Sequence, residues 1–257
     1  MKAAVAVLLA TVAGLLLAPL PARAEPLPGK SCDLPAYLVT SDSVLKNVAA
    51  SVSEKKALPI LVVGTMSSML PGKDGVAAAY PVRLQAALAE RLPGIDVKVD
   101  TELLPKKSAA DVQPMLARFL EDHKPVLVIW QTGTSDAVRA VDPDEFHTAL
   151  DDGVSAIQKA GADVILVNPQ YSPRTEAMFS LSGYLDIIRA VAQQFEIPVF
   201  DRFSAMRHWN DEGDFDLSAT TPGLDLAKRV HDCVGRALAT LVIETAKINP
   251  AELRIQR

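Results

Sequence analysis

Two adjacent hydroxyls, Ser67 and Ser68, close behind Gly64 in "VVGTMSSML" (62–70), follow directly on an apolar run. A serine in a turn behind a buried strand is where a hydrolase keeps a nucleophile. That nucleophile needs a base to take its proton and donors to receive an oxyanion. The candidate bases are His123, His147, His208 and His231. His123 precedes a strand-like run, His147 lies within an early helix, and His208 sits beside Trp209 in an expected surface turn. These three read as solvated or packing residues. His231 is expected on the flank of the last helix, pointing away from the loop end of the sheet, and is the one base a relocated Ser67 or Ser68 could use. Asp211, Glu212, Asp214 and Asp216 in "NDEGDFDLS" bear oxygens of the kind calcium takes, but their spacing fits no EF-hand and reads as a solvated acidic turn. There is no Gly-rich phosphate loop, no G-x-S-x-G elbow and no zinc-type Cys/His spacing, so neither metal nor cofactor is expected.

Positioning such residues requires a scaffold, and the scaffold is clear in the hydropathy. "LPILVV" (58–63), "IDVKV" (95–99), "PVLVIW" (125–130), "ADVILV" (162–167) and "IPVF" (197–200) are short, nearly continuous apolar runs, expected as strands buried on both faces. Between them, "YPVRLQAALAERL", "SAADVQPMLARFLEDH", "PDEFHTALDDGVSAIQKAG" and "TEAMFSLSGYLDIIRAVAQQF" have helical spacing, with Tyr80, Leu84, Leu88 and Leu92 forming one stripe. A last helix is expected from Leu224 to Ala246, with Leu226, Val230, Cys233, Ala237 and Leu241 on one face. Alternating strands and helices predict an α/β fold, a parallel sheet covered by helices on both sides, with ligands taken outside the carboxyl ends of the strands.

The first residues set the compartment. Lys2, the apolar stretch "AAVAVLLATVAGLLLAPL" and the small-residue pattern Ala22-Arg23-Ala24 are those of a secretory signal peptide cut after Ala24; an uncleaved anchor is the competing reading. No later run is long and apolar enough to span a bilayer. The expected organisation is a signal peptide over 1–24, an arm over 25–56, one domain over 57–247 and a tail over 248–257, with a periplasmic or secreted location. Export permits Cys32 and Cys233 to pair as a disulfide; two buried thiols are the alternative. A net charge of −5 without a basic cluster gives no footprint for nucleic acid or for an anionic membrane.

The blocks "LPILVVGTMSSM", "AAYPVRLQAALAERLPGIDVKV", "VLVIWQTGTSDAVR", "GADVILVNPQYSPR" and "GLDLAKRVHDCVGRALA" resemble, in order, those of the SGNH/GDSL hydrolases. The resemblance implies a three-layer α/β/α domain with a five-stranded, flavodoxin-like parallel sheet, and an esterase or acyl hydrolase ancestry. Carried over by position, however, the catalytic residues are replaced. Met66 stands at the nucleophile, Ser135 in Gly133-Thr134-Ser135 at the oxyanion asparagine, and Pro222 and Asp225 at the Asp and His of the closing motif. The second block's oxyanion glycine falls loosely on Glu102. A thioether has no proton to lose and cannot form an acyl-enzyme. The resemblance therefore implies a catalytically degenerate member, binding a carbohydrate or acyl-ester ligand in a cleft lined by Gly64, Gln131, Gly133, Thr134, Gln170 and Tyr171, or acting as a partner subunit. The alternative is an ester hydrolase using Ser67, with Ser135 as a surviving oxyanion donor.

Overall fold

A computed structural model describes residues 32–218 and 223–255. Five strands, β1 (Ala57–Gly64), β2 (Asp96–Leu103), β3 (Leu127–Gln131), β4 (Asp163–Val167) and β5 (Val199–Phe200), form one sheet in the order β2-β1-β3-β4-β5. Every pairing is parallel; Ile60 lies opposite Leu127, and Leu127 opposite Asp163. This is the flavodoxin-like order, and its reversal point falls between β1 and β3, where loops part to leave a crevice.

The helices are α1 (Lys46–Ala50), α2 (Gly72–Ala78), α3 (Tyr80–Arg91), α4 (Ala109–Val112), α5 (Leu116–His123), α6 (Thr134–Val138), α7 (Pro143–Lys159), α8 (Pro173–Met178), α9 (Ser182–Gln194), α10 (Arg202–Asp211), α11 (Leu224–Thr245) and α12 (Pro250–Ile255). α3 packs on α11, while α5, α7 and α9 pack side by side. Right-handed crossovers on either side of the reversal place these two groups on opposite faces of the sheet. The expected stripe of Tyr80, Leu84, Leu88 and Leu92 is fully buried against it. α11 runs from the carboxyl edge of the sheet toward the amino edge. Near its start His231 meets Tyr80 at the head of α3, and at its end the Thr245 carbonyl accepts from Leu45 N beside α1. Asn47 and Val48 N of α1 in turn hold Asp163 at the start of β4.

Several elements differ from their expected form. β2 extends to Leu103 and is half-exposed along its length, because it is an edge strand with only β1 beside it. The helix expected over 108–123 breaks at a 3₁₀ turn, Gln113–Met115, where Pro114 cannot supply an amide to an α-helical ladder. The helix expected over 175–195 is two, α8 and α9, parted by the extended Phe179 and by Leu181 turning into the core. His208 lies in α10 and not in a surface turn: Phe203, Met206 and Trp209 recur at helical spacing and are all buried, and Asp201 caps the helix by accepting from Ser204 N at 2.9 Å. Cys32 and Cys233 are disulfide-bonded, with Cα atoms 5.2 Å apart across 201 residues of sequence, so the free-thiol alternative is set aside. The amino-terminal segment is fastened to α11 and buries Leu45, Val48 and Val52 in the common core.

Candidate functional site

Gly64 ends β1, and a 3₁₀ turn, Met66–Ser68, follows at once. A Cβ on Gly64 would stand 2.8 Å from Ser68 Cβ, so glycine allows this turn to fold back beneath the strand end. Ser68 is fully buried. Its Oγ accepts from Thr65 N at 3.3 Å and donates to Gln131 Oε1 at 2.8 Å, with the Tyr80 hydroxyl 3.3 Å away. Gln131, the last residue of β3, spends its whole hydrogen-bonding capacity here. Oε1 accepts from Ser68 and from Arg202 Nη1 (3.0 Å), while Nε2 donates to Thr65 Oγ1 (3.2 Å) and to Ser67 Oγ. Arg202 has no acceptor atom, so the amide is held with its oxygen toward the guanidinium.

Arg202 was not among the residues singled out from the sequence, yet it is the centre of the cluster. It is completely buried, donates through Nη1 to the Ser67 carbonyl at 3.0 Å and through Nη2 to Gln170 Oε1 at 3.4 Å, and lies over the Tyr80 ring with 5.6 Å to its centroid. Its Nε has no partner, and no carboxylate among the described residues pairs with it. Burial pushes its pKa down to about 10. Its place is set by Asp201, the α10 cap, which Asn168 at the end of β4 grips by donating from Nδ2 at 2.7 Å. Two charged residues, Asp201 and Arg202, between the last apolar run and Phe203 in "FDRF" are the available signal in the sequence.

His231 is buried on α11, and its Nδ1 accepts from Tyr80 N at 3.0 Å. Burial, aided by the Arg202 charge, pushes its pKa down to about 3. Its lone pair is thus used in fastening α3 to α11. The other expected catalytic positions do not converge on it. Met66 is 57% exposed, the Asp225 side chain is 97% exposed and lies 3.8 Å from Lys228 Nζ, and Pro222 falls outside the described residues. Among the described residues, none of Met66, Ser135 and Asp225 hydrogen-bonds to Ser67 or His231. Glu102 lies on the edge strand and pairs with His123 at 2.8 Å, with Asp100 on the other ring nitrogen at 3.4 Å. The hydrogen bond to Glu102, which lies opposite Val63 near the end of β1, raises the His123 pKa, so this histidine is ion-paired and not simply solvated.

Of the expected lining residues, Gly133 adopts φ +88°, and a Cβ there would press on Pro169 and Ile188 at 3.2 Å. It lets the buried Asp136 carboxylate reach back to Gly133 N (3.2 Å) and across to Ala109 N (2.8 Å). Thr134 holds a buried hydroxyl without a partner, and Tyr171 is buried edge-on against Phe203 at 5.2 Å. Open grooves of about 660 and 840 Å³ lie elsewhere and include none of the residues around Ser67. Among the described residues no cluster of three or more His, Cys, Asp or Glu could hold a metal ion.

The comparison with known proteins decides the kinship, because a family model described as the non-GDSL lipase-like family matches residues 31–248. The chain belongs to that family. Among curated relatives of this non-GDSL lipase-like protein, the arylesterase of Vibrio mimicus is 27% identical over 143 residues, which cover 52% of this chain and 65% of the arylesterase. Esterase TesA of Pseudomonas aeruginosa is 29% identical over 128 residues, 48% of this chain and 62% of that enzyme. The matched stretch therefore spans less than two thirds of either relative. In structure, TesA superposes with a TM-score of 0.54 at 22% identity, covering 70% of this chain and 97% of TesA. A catalytic mutant of Axe2, an acetylxylan esterase from Geobacillus stearothermophilus, gives 0.58 at 15% identity, covering 71% and 93%. At these identities the structural likeness is one of fold, and it is the SGNH-hydrolase fold that the sequence blocks resemble.

Proposed function

We propose that this protein is an exported, non-catalytic member of the SGNH/GDSL-like hydrolases, binding an acylated or carbohydrate ligand at the carboxyl edge of the sheet or serving there as an accessory subunit. The partners of Ser67 carry this reading. Ser67 Oγ accepts from Gln131 Nε2, and Thr65 Oγ1, itself an acceptor from Gln131, lies 3.3 Å away. Among the described residues Ser67 Oγ therefore meets an amide donor and a threonine hydroxyl but no histidine or carboxylate, whereas a nucleophile gives its proton to a base. Met66 at the family's nucleophile position and a His231 already bound to Tyr80 N support the same reading. The cleft residues proposed to meet the ligand are Ser67, Gln131, Thr134 and Gln170, with Gly64, Gly133 and Tyr171 shaping the walls. Export rests on the residue pattern over 1–24, which lies outside the described residues, and is consistent with the disulfide. No helix among the described residues is long and apolar enough to cross a membrane.

The competing reading keeps Ser67 as the nucleophile of an ester hydrolase, favoured by its partial exposure and by the esterases among the relatives. Incubating the purified protein with a short-chain 4-nitrophenyl ester and with a fluorophosphonate probe separates the two. The expected outcome is hydrolysis no faster than that of Ser67→Ala, and no labelling. Labelling of the unaltered protein that disappears in Ser67→Ala would establish the hydrolase instead.

A further inference from the structure

We infer that His123 is a proton-operated clasp on the free edge of the sheet, closed while its ring is charged, and that it sets how firmly the loop after β2 is held beside the β1 turn. Neither reading of Ser67 is needed for it, since the ring lies against the outer strand.

The geometry of the ring carries it. Asp100 and Glu102 stand two residues apart on β2, so their side chains leave the strand on the same face. His123, the last residue of α5, sits between them, with Nε2 2.8 Å from Glu102 Oε1 and Nδ1 3.4 Å from Asp100 Oδ2. An ionised carboxylate only accepts, and a neutral imidazole has one N–H, so the ring can donate to both only as the imidazolium. The C-terminal end of α5 also favours a cation there. Of the charged groups on the elements around it, those that act on the ring are Asp100 and Glu102. Lys98 Nζ reaches the same Asp100 oxygen at 2.7 Å, Glu121 and Asp122 before it on α5 are exposed, and β1 carries no charged residue. From α3, Gln85 Oε1 holds the β2 edge by accepting from Val99 N at 2.8 Å, a neutral contact.

The clasp holds a strand end that pairs with β1 alone. Glu102 lies opposite Val63, and two residues on, Leu104 N donates to Gly64 O at 2.8 Å before the chain turns through the exposed Pro105, Lys106 and Lys107. Local opening of this end frees His123, whose proton affinity then returns to the ordinary value near 6.5, below its value in the clasp. The brace is thus complete below ~6.5 and is lost as pH rises through the higher midpoint of the closed form. Acid tightens the loop at the root of the β1 turn, and alkali loosens it.

Hydrogen–deuterium exchange of the full, disulfide-bonded chain tests this, read as protection factors so that the intrinsic pH dependence of exchange cancels, with β4 (Asp163–Val167) as the internal reference. Between about pH 6 and about pH 8.5 the segment 100–107 is expected to lose protection about tenfold relative to β4, while ring-proton NMR gives His123 a midpoint above ~6.5. His123→Gln, at a partly exposed position, is expected to show the lower protection at both pH values. Glu102→Gln is expected to bring the His123 midpoint down and to make the loss shallower. An equal fall of protection in His123→Gln, or a His123 midpoint at or below ~6.5 in the unaltered protein, would overturn the clasp.

Discussion

Arg202 Nη1 lies 3.0 Å from Gln131 Oε1, so that a fully buried guanidinium and a fully used amide are locked to each other beneath the β1 turn. Four partners depend on that one amide: Arg202, Ser68, Thr65 and Ser67. Replacing Gln131 with Leu, of similar size, takes one of three acceptors from a buried cation and removes the Oε1 acceptor of a buried serine hydroxyl. The expected loss is roughly 3 kcal/mol of unfolding free energy, since breaking one side of a buried charged contact is far costlier than omitting it. Urea unfolding followed by tryptophan fluorescence measures it. A loss below about 0.5 kcal/mol would mean that the amide is not the keystone of the cluster.

His231 makes acid stability a readout of the same core. In the unfolded chain a histidine takes its proton near pH 6.5, whereas the folded protein resists until about 3 because of burial and, secondarily, Arg202. The unfolded state therefore binds the proton first as pH falls. This contribution is fully present above ~6.5 and drains away between there and about 3, reaching roughly 2 kcal/mol lost at pH 5. His231→Asn keeps an acceptor for Tyr80 N and removes the titration. Its urea-unfolding stability is expected to fall less between pH 7 and pH 5 than that of the unaltered protein. Parallel pH profiles would show that His231 titrates normally in the fold.

Trp130 shows how close the sheet and its cover have come. A Cβ placed on Gly153 of α7 would stand 2.7 Å from Trp130 Cη2 and 3.1 Å from Leu116 Cδ1. Gly153→Ala gains helix propensity but forces a fully buried indole off its seat. Overpacking of this kind costs ~1–3 kcal/mol, so a lowered thermal midpoint is expected in calorimetry. An unchanged or raised midpoint would indicate slack between α7 and β3.

The ease of reading the fold and the difficulty of reading the site have one physical origin. Strands such as Leu127–Gln131 are buried on both faces and α3 shows an unbroken stripe, so period and run length announce them. β2 misled only in extent and exposure, because edge position is a property of the sheet and not of the strand's own residues. The family blocks located the β1 turn correctly. The chemistry there depends on Arg202, which lies 135 residues from Ser67 in sequence and has no motif of its own; a buried charge is visible only once the fold encloses it. Likewise Ser67 and Ser68, adjacent in sequence, diverge in the fold, one partly buried and the other fully buried against Tyr80.

The positions proposed to be replaced give the sharpest test of the degenerate reading, because the family's residues can be put there. Met66→Ser alone supplies a hydroxyl at the exposed tip of the turn but no base, since His231 Nδ1 is held by Tyr80 N and Asp225 is an exposed carboxylate. It is expected to leave ester hydrolysis at background. Asp225→His places an imidazole at the head of α11, Pro222→Asp supplies the acid of the closing motif, and Ser135→Asn supplies the oxyanion amide, a group typically worth ~10²–10³ in rate. Only the fourfold variant is expected to turn over a 4-nitrophenyl ester above background and to take a fluorophosphonate label at residue 66. The decisive control is position: a label found on Ser67 would mean that the nucleophile of this fold lies one residue beyond where its kinship puts it.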